Sequence, residues 1–172
     1  MSLPSSRRCL MPTKNNDPIA VAIRRAAIAD AMQMCAIEQA ASTVPWSLSA
    51  FESELSNEHG ASYVALDDSQ GICAYIISVI VTDELHIHNL ATQEQFRRRR
   101  MAARLIDKVI EAAVRQGVQK AYLEVRSKNS AAIGLYEKCG FSTQLIRKKY
   151  YSDDGDDALI MTKNIGTIIR TS

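Results

Sequence analysis

The sequence predicts a mixed α/β domain, and three observations predict it. Segments with strand character recur along the chain, among them ICAYIISVIV (72–81) and ELHIHNLAT (84–92). The segment RMAARLIDKVIEAAVRQG (100–117) places Ala102, Leu105, Ile106, Val109, Ile110 and Ala113 on one wide helical face. The order of elements is strand, two helices, three strands, helix, strand, helix and two strands, which is not the strict alternation of a doubly wound sheet.

IAVAIRRA (19–26) reads as a short first strand. IADAMQMCAIEQAA (28–41) is rich in helix formers, with Ile28, Met32, Cys35 and Ile37 as its apolar residues and Asp30 near its start, and STVPW breaks it. SLSAFESEL (47–55) reads as a second helix, with Ser47 as N-cap and Ala50, Phe51 and Leu55 as its apolar stripe. SYVALDD (62–68), the turn DSQG and ICAYIISVIV form a hairpin, and ELHIHNLAT a further strand. Gly117 closes the 100–117 helix as a C′ glycine. KAYLEV (120–125) is a buried-type strand and NSAAIGLYEKCG (129–140) a short helix, again closed by glycine. FSTQLIRKKYY and DALIMTK finish as strands around the acidic turn SDDGDD.

At 172 residues and 47% hydrophobic composition, the chain supports one domain with a sizeable core. Residues 1–18, rich in Ser, Pro and Asn, read as a loose tail, residues 19–164 as the domain and residues 165–172 as a second tail. The first segment has two arginines but no apolar run after them, so it does not read as a secretory signal. No apolar run reaches the length of a membrane-spanning helix. A net charge of +2 gives no global argument for nucleic acid. The four cysteines, Cys9, Cys35, Cys73 and Cys139, are scattered without a CxxC pair, as expected of reduced thiols in a cytoplasmic protein.

The stretch EQFRRRRMAARLI (94–106) carries a basic run, Arg97, Arg98, Arg99 and Arg100, between a strand end and a helix start. Unpaired N–H groups and the positive end of the dipole make a helix N-terminus an anion site, and arginines add charge there. A solvated basic face is the plainer reading. Nucleic-acid binding would call for a basic face with aromatic platforms, and the sequence has neither.

Further along, YLEVRSKNSAAIGLYEKCGF holds a carboxylate, Glu124, in an otherwise apolar strand, and Tyr136 on the helix that follows. Side by side, the first accepts a proton and the second donates one. The alternative is an edge-strand glutamate and a packing tyrosine. In HIHN, His86 and His88 share a strand face with Glu84, but no third metal ligand is evident, and packing or a substrate-side role is the better reading. Trp46, Tyr150 and Tyr151 suit either a core edge or recognition.

Together, NLATQEQFRRRRMAARLI and LEVRSKNSAAIGLYEKCGF resemble the GNAT superfamily of acetyl-CoA-dependent N-acetyltransferases, and within it the ribosomal-protein-alanine N-acetyltransferase (RimI) family. The resemblance spans roughly residues 19–163, with VPWSLSAFESEL and RKKYYSDDGDDALIMTK at its two ends. It implies a twisted mixed sheet flanked by helices, whose fourth and fifth strands splay apart to admit the cofactor. It implies that the backbone of Leu90, Ala91 and Thr92 pairs with the pantetheine arm. The loop of Arg97, Arg98, Arg99, Arg100, Met101, Ala102 and Ala103 would wrap the pyrophosphate, and Asn129 would contact acetyl-CoA. Glu124 falls at the position of the general base and Tyr136 at that of the general acid. The implied acceptor is a protein N-terminus, that of a small-subunit ribosomal protein, reached by direct transfer. No metal, nucleic acid or membrane partner is implied.

The family loop carries glycine where this chain has Arg100. Should that position take φ > 0, the arginine there is strained by about 1–2 kcal/mol. Two other readings keep the fold: an acetyltransferase for lysine or small amines, and a non-catalytic acyl-CoA-binding or partner-binding relative.

Overall fold

Ten residues rich in β-branched and aromatic side chains, ICAYIISVIV, are buried along eight of their positions and form the longest strand of the protein. Around it stands one sheet made of β1 (Ala22–Arg25), β2 (Tyr63–Leu66), β3 (Ile72–Val81), β4 (Glu84–Thr92), β5 (Lys120–Arg126), β6 (Ser142–Arg147) and β7 (Ala158–Asn164). Its order is β1-β2-β3-β4-β5-β7-β6, and only the β4–β5 pair is parallel. The helices are α1 (Ala31–Ala41), α2 (Leu48–Leu55), α3 (Met101–Val114) and α4 (Ser130–Lys138). This computed structural model describes residues 22–166. The expected tail 1–18, strand residues 19–21 and residues 167–172 lie outside the described residues.

Alternation along each strand divides the core into two layers. Ala74 and Ile76 of β3, Leu85 and Ile87 of β4, and Ala121, Leu123 and Val125 of β5 pack with Leu105, Ile106 and Val109 of α3. Tyr75 and Ile77 of β3 and Ala91 of β4 pack on the opposite face with α1 and with Phe51 of α2. Phe51 meets Tyr75 edge-on at 5.3 Å and Trp46 at 5.7 Å, so Trp46 closes the rim of this second layer. The Tyr75 hydroxyl donates to Glu38 of α1 at 2.6 Å inside it.

The helix ends follow the sequence chemistry. The Ser47 hydroxyl accepts from the Ala50 N–H at 3.2 Å and caps α2. After α3, Gly117 takes φ 82°, its N–H reaches the Val114 carbonyl, and the Val118 N–H reaches the Ala113 carbonyl. That pair of bonds is a Schellman closure, and Ala113 and Val118 are both buried under it. Gly140, at φ 86°, ends α4 in the same way, with the Phe141 N–H bonded to the Tyr136 carbonyl.

Three expectations are corrected. The first helix opens as a 3₁₀ turn at Ile28–Asp30, and its inward face is Ala31, Met34, Cys35, Ile37 and Glu38. Ile28 and Met32 point outward, 54% and 72% exposed, because α1 proper begins after the turn and is rotated relative to a single continuous helix. The strand expected from FSTQLIRKKYY stops at Arg147. Lys148 to Asp157 instead form a loop in which the Asp157 carboxylate accepts from Lys148 and from the Lys149 N–H.

Asp30 ties the first strand to this layer. Its carboxylate takes a two-pronged bond from Arg24 at 2.7 and 2.8 Å and a third from the Ala27 N–H at 2.8 Å. The Arg24 bond is the main cause that holds its carboxyl below the ordinary range. A lowered folded-state pKa adds stability above the unfolded value of about 3.9, and that stability is lost as pH falls through the folded value. Asp30→Asn is expected to cost about 2 kcal/mol at pH 7 by urea titration. The gap from the parent protein should narrow toward pH 3.

Candidate active site

The parallel ladder between β4 and β5 has four rungs, Glu84↔Lys120, Leu85↔Ala121, His86↔Tyr122 and Ile87↔Leu123, and then stops. Beyond it, β4 stays paired with β3, where Leu90, Ala91 and Thr92 face Ile76, Tyr75 and Ala74. β5 stays paired with β7, where Glu124, Val125 and Arg126 face Ile160, Leu159 and Ala158. The two strands therefore part. The divergence coincides with a bulge in β4: Ser78 of β3 pairs with Ile87 and Ile77 with Asn89, leaving His88 without a partner. The inner edge of β4 at residues 89–92 is a row of backbone groups with no strand against it.

That edge runs into the arginines through a 3₁₀ turn at Glu94–Phe96. Arg97, Arg98, Arg99 and Arg100 are all exposed, and none makes an ion pair among the described residues. Arg98 has φ 60° and Arg100 has φ 62°. Such left-handed residues between right-handed or extended ones turn successive N–H groups toward one concavity. Arg100 is the residue before α3, and no side chain caps the helix there. The first N–H groups of α3, on Met101, Ala102 and Ala103, are thus left without helical partners. Met101 is buried and anchors the turn, while the two alanines present almost no side chain.

The remaining expected residues lie around the gap. Asn129 caps α4, its side-chain oxygen accepting from the Ala132 N–H at 3.1 Å. Glu124 lies on β5 between the inward-facing Leu123 and Val125 and so faces away from α3, half exposed, where Arg147 of β6 donates to it at 2.7 Å. Tyr136 lies on the α3 side, packed edge-on against Phe141 at 6.1 Å. The Schellman closure holds both rings. Burial pushes the Tyr136 hydroxyl up to about 12, with smaller contributions from Cys139 and Tyr151. It stays protonated throughout the neutral range and has no hydrogen bond among the described residues.

Sequence reasoning missed what holds these groups. The acidic turn folds back onto the end of β5. Asp156 is buried and accepts from the Ser127 hydroxyl at 2.7 Å and from the Lys128 N–H at 3.3 Å. Asp153 and Asp154 take the Arg126 guanidinium, which lies 3.8 Å over the Tyr151 ring. Tyr151 is thereby placed within electrostatic range of both Glu124 and Tyr136, and burial raises its own hydroxyl pKa. Arg147 also stacks over Tyr150 at 5.3 Å. In the sequence these were surface charges, and only the return of the 148–157 loop gives them partners.

The two strand histidines go to different partners. His86 stacks on Tyr122, 5.2 Å between centroids, and bonds Glu84 at 2.9 Å. His88 bonds Glu54 of α2 at 3.3 Å.

The Acetyltransferase (GNAT) family profile matches residues 31–141, most of the described chain. The chain belongs to the GNAT acetyltransferase family. Among its relatives, the ribosomal protein bS18-alanine N-acetyltransferase of Escherichia coli strain K12 is 36% identical over 129 residues, 73% of this chain and 84% of that protein. The enzyme of the same name from Haemophilus ducreyi is 37% identical over 130 residues, covering 73% and 87%. The crystal structure of the E. coli ribosomal-protein-S18-alanine N-acetyltransferase superposes with a TM-score of 0.81 at 30% identity, over 88% of this chain and 98% of that one. The GNAT fold, with its mixed sheet and flanking helices, is therefore the fold of this protein.

Arg100, where the resemblance implies a glycine, takes φ 62°. Arg100→Gly removes the clash between Cβ and backbone and is expected to raise stability by about 1 kcal/mol, read as a higher urea midpoint at unchanged slope.

Proposed function

We propose that this GNAT acetyltransferase is a protein N-terminal acetyltransferase acting in the cytoplasm. It would move the acetyl group of acetyl-CoA to a protein α-amine, and the favoured acceptor is the N-terminal alanine of ribosomal protein bS18, for which its relatives are named. The observation that carries this reading is the interrupted β4–β5 ladder, with Glu124 on one face and Tyr136 on the other.

The residues present fit acetyl-CoA. The open edge at Leu90, Ala91 and Thr92 offers strand-like backbone pairing to the amides of a pantetheine arm. The uncapped start of α3, with Arg97, Arg98, Arg99, Arg100, Met101, Ala102 and Ala103, suits a pyrophosphate. Asn129 stands at the start of α4 beside the same gap. Acetyl-CoA supplies the activated acetyl thioester. The chain's own part is to align the amine with it, which on general grounds is the largest contribution to rate. Glu124 takes a proton from the attacking nitrogen through water. Tyr136, kept protonated by its burial, gives one to the departing sulfur. Arg147 holds the Glu124 carboxylate in place before the acceptor arrives. No cysteine nucleophile is required, in keeping with the burial of Cys35 and Cys73. Among the described residues no helix is long and apolar enough to cross a membrane.

A panel of peptides differing only in the first residue, with CoA release as readout, tests the acceptor. Alanine-starting peptides should be preferred, and equal rates for lysine amides would replace this acceptor. Glu124→Gln should leave the acetyl-CoA dissociation constant within about twofold by calorimetry and lower kcat on the order of 100-fold. An unaltered pH–rate profile in that variant would remove Glu124 from the base role. Arg100→Gly should bind acetyl-CoA at least as tightly as the parent, and a large loss would make its guanidinium a phosphate ligand.

A further inference from the structure

Acetylating an α-amine that arrives as an ammonium takes two protons off its nitrogen, one more than a single base holds. The amine has an ordinary pKa of about 7.7–8.0 and enters largely as an ammonium. One proton must leave before the nitrogen has a lone pair, and a second must leave once the N–C bond has formed. Glu124 can take one, and in the structure it is already engaged by Arg147.

Across the gap stands a second candidate. Ile87↔Leu123 is the last rung of the parallel ladder, so His88 and Glu124 are the next residues on the two diverging strands. Both lie on the face opposite α3, since Ile87, Leu123 and Val125 face α3. His88 is the bulged residue of β4, and its Nδ1 is bonded to Glu54 Oε1 at 3.3 Å, leaving Nε2 without a bond among the described residues. The second Glu54 oxygen is shielded from solvent and has no hydrogen-bond partner among the described residues. A buried carboxylate oxygen without a partner is costly in the resting protein, and a positive charge formed beside it offsets that cost. The groups around His88 are Glu54 from α2, Tyr122 and Glu124 from β5, and Glu84 and His86 on its own strand, with Arg147 of β6 behind Glu124. β3 offers only Ile77 and Ser78 at that level.

We propose that His88 is a second proton acceptor of the site, and that Glu54 is the positioning residue that holds its ring. The inference rests on the acetyl-transfer reading above. The ammonium proton passes to His88 Nε2, giving an imidazolium paired with the Glu54 carboxylate and a neutral amine. The amine nitrogen bonds to the acetyl carbon as the C–S bond breaks. The nitrogen's second proton goes to Glu124 through water, and Tyr136 protonates the sulfur. Glu124 and His88 then release their protons to solvent, and Tyr136 regains one from it. The balance is one ammonium and one thioester giving one amide, one thiol and one free proton.

The test is the pH dependence of kcat/KM for an alanine-starting peptide, compared in the parent and in His88→Leu. The parent acts on the ammonium form and should hold its rate down through neutrality. His88→Leu must wait for amine already neutral in solution, so its rate should climb with pH through the amine's own titration. The expected deficit is about 100-fold at pH 6.5, shrinking to within about threefold at pH 9.5, with the acetyl-CoA dissociation constant unchanged by calorimetry. Glu54→Gln should move the acid limb of the profile to lower pH, because the negative charge that favours imidazolium is gone. A deficit of the same size at both pH values, no deficit, or one explained by weaker acetyl-CoA binding would overturn the proposal. The same profiles on lysine ethylamide separate the two readings. Turnover of that amine and not of the peptide fails the N-terminal acceptor alone, and His88 is then judged on the lysine compound, with the rise displaced toward the side-chain pKa of about 10.4. No turnover of either amine fails acetyl transfer itself and this proposal with it.

Discussion

The four-rung limit on the β4–β5 ladder is the constraint on which the rest of the site depends. Two strands that stay paired leave no room between them and no free backbone groups. Two strands that separate inside a sheet must each find other partners, and here β3 and β7 supply them. The bulge at His88 turns β4 away from β5 without breaking its pairing with β3. The result is a gap in the sheet, with the unpaired backbone edge of β4 on one side and that of β5 on the other.

Everything placed at the gap is held by a separate local device. α3 begins at the end of the open strand edge with its first N–H groups uncapped, and two left-handed arginines lead into it. α4 ends in a Schellman closure that clamps Tyr136 against Phe141. The 148–157 loop is pinned by Asp156 and by the Arg126 stack, which brings Tyr151 within electrostatic range of Glu124 and Tyr136. Opposite charges and buried hydroxyls are thus arranged on the two faces of one opening.

Two of the five non-glycine residues with left-handed backbone among the described residues lie at the same place. Arg98 and Arg100 both lie in the left-handed region, which side chains with a Cβ avoid. Both side chains are exposed and point at no acid among the described residues. The conformation is retained because the chain must pass from an extended edge into α3 within a few residues, with Met101 buried as the anchor. The charge kept there suits a phosphate-bearing substrate.

Local chemistry made much of this readable before the fold was seen. The apolar stripe of α3, the cap at Ser47, the terminal glycines at 117 and 140, and β4 from Glu84 to Thr92 each follow from residue types within a few positions of one another. The resemblance raised a positive φ at Arg100 only as a condition, and the structure decides it at 62°. What the sequence by itself determined is therefore periodicity and capping, together with the placement of Glu124 on a strand and of Tyr136 on the helix that follows it. The tertiary structure alone decided that Arg147 would meet Glu124, that Glu54 would meet His88 from 34 residues away, and that Ile28 and Met32 would turn outward. Those outcomes depend on where the β4–β5 ladder ends and on how α1 and α2 dock, and both are set by long-range packing that no local pattern encodes.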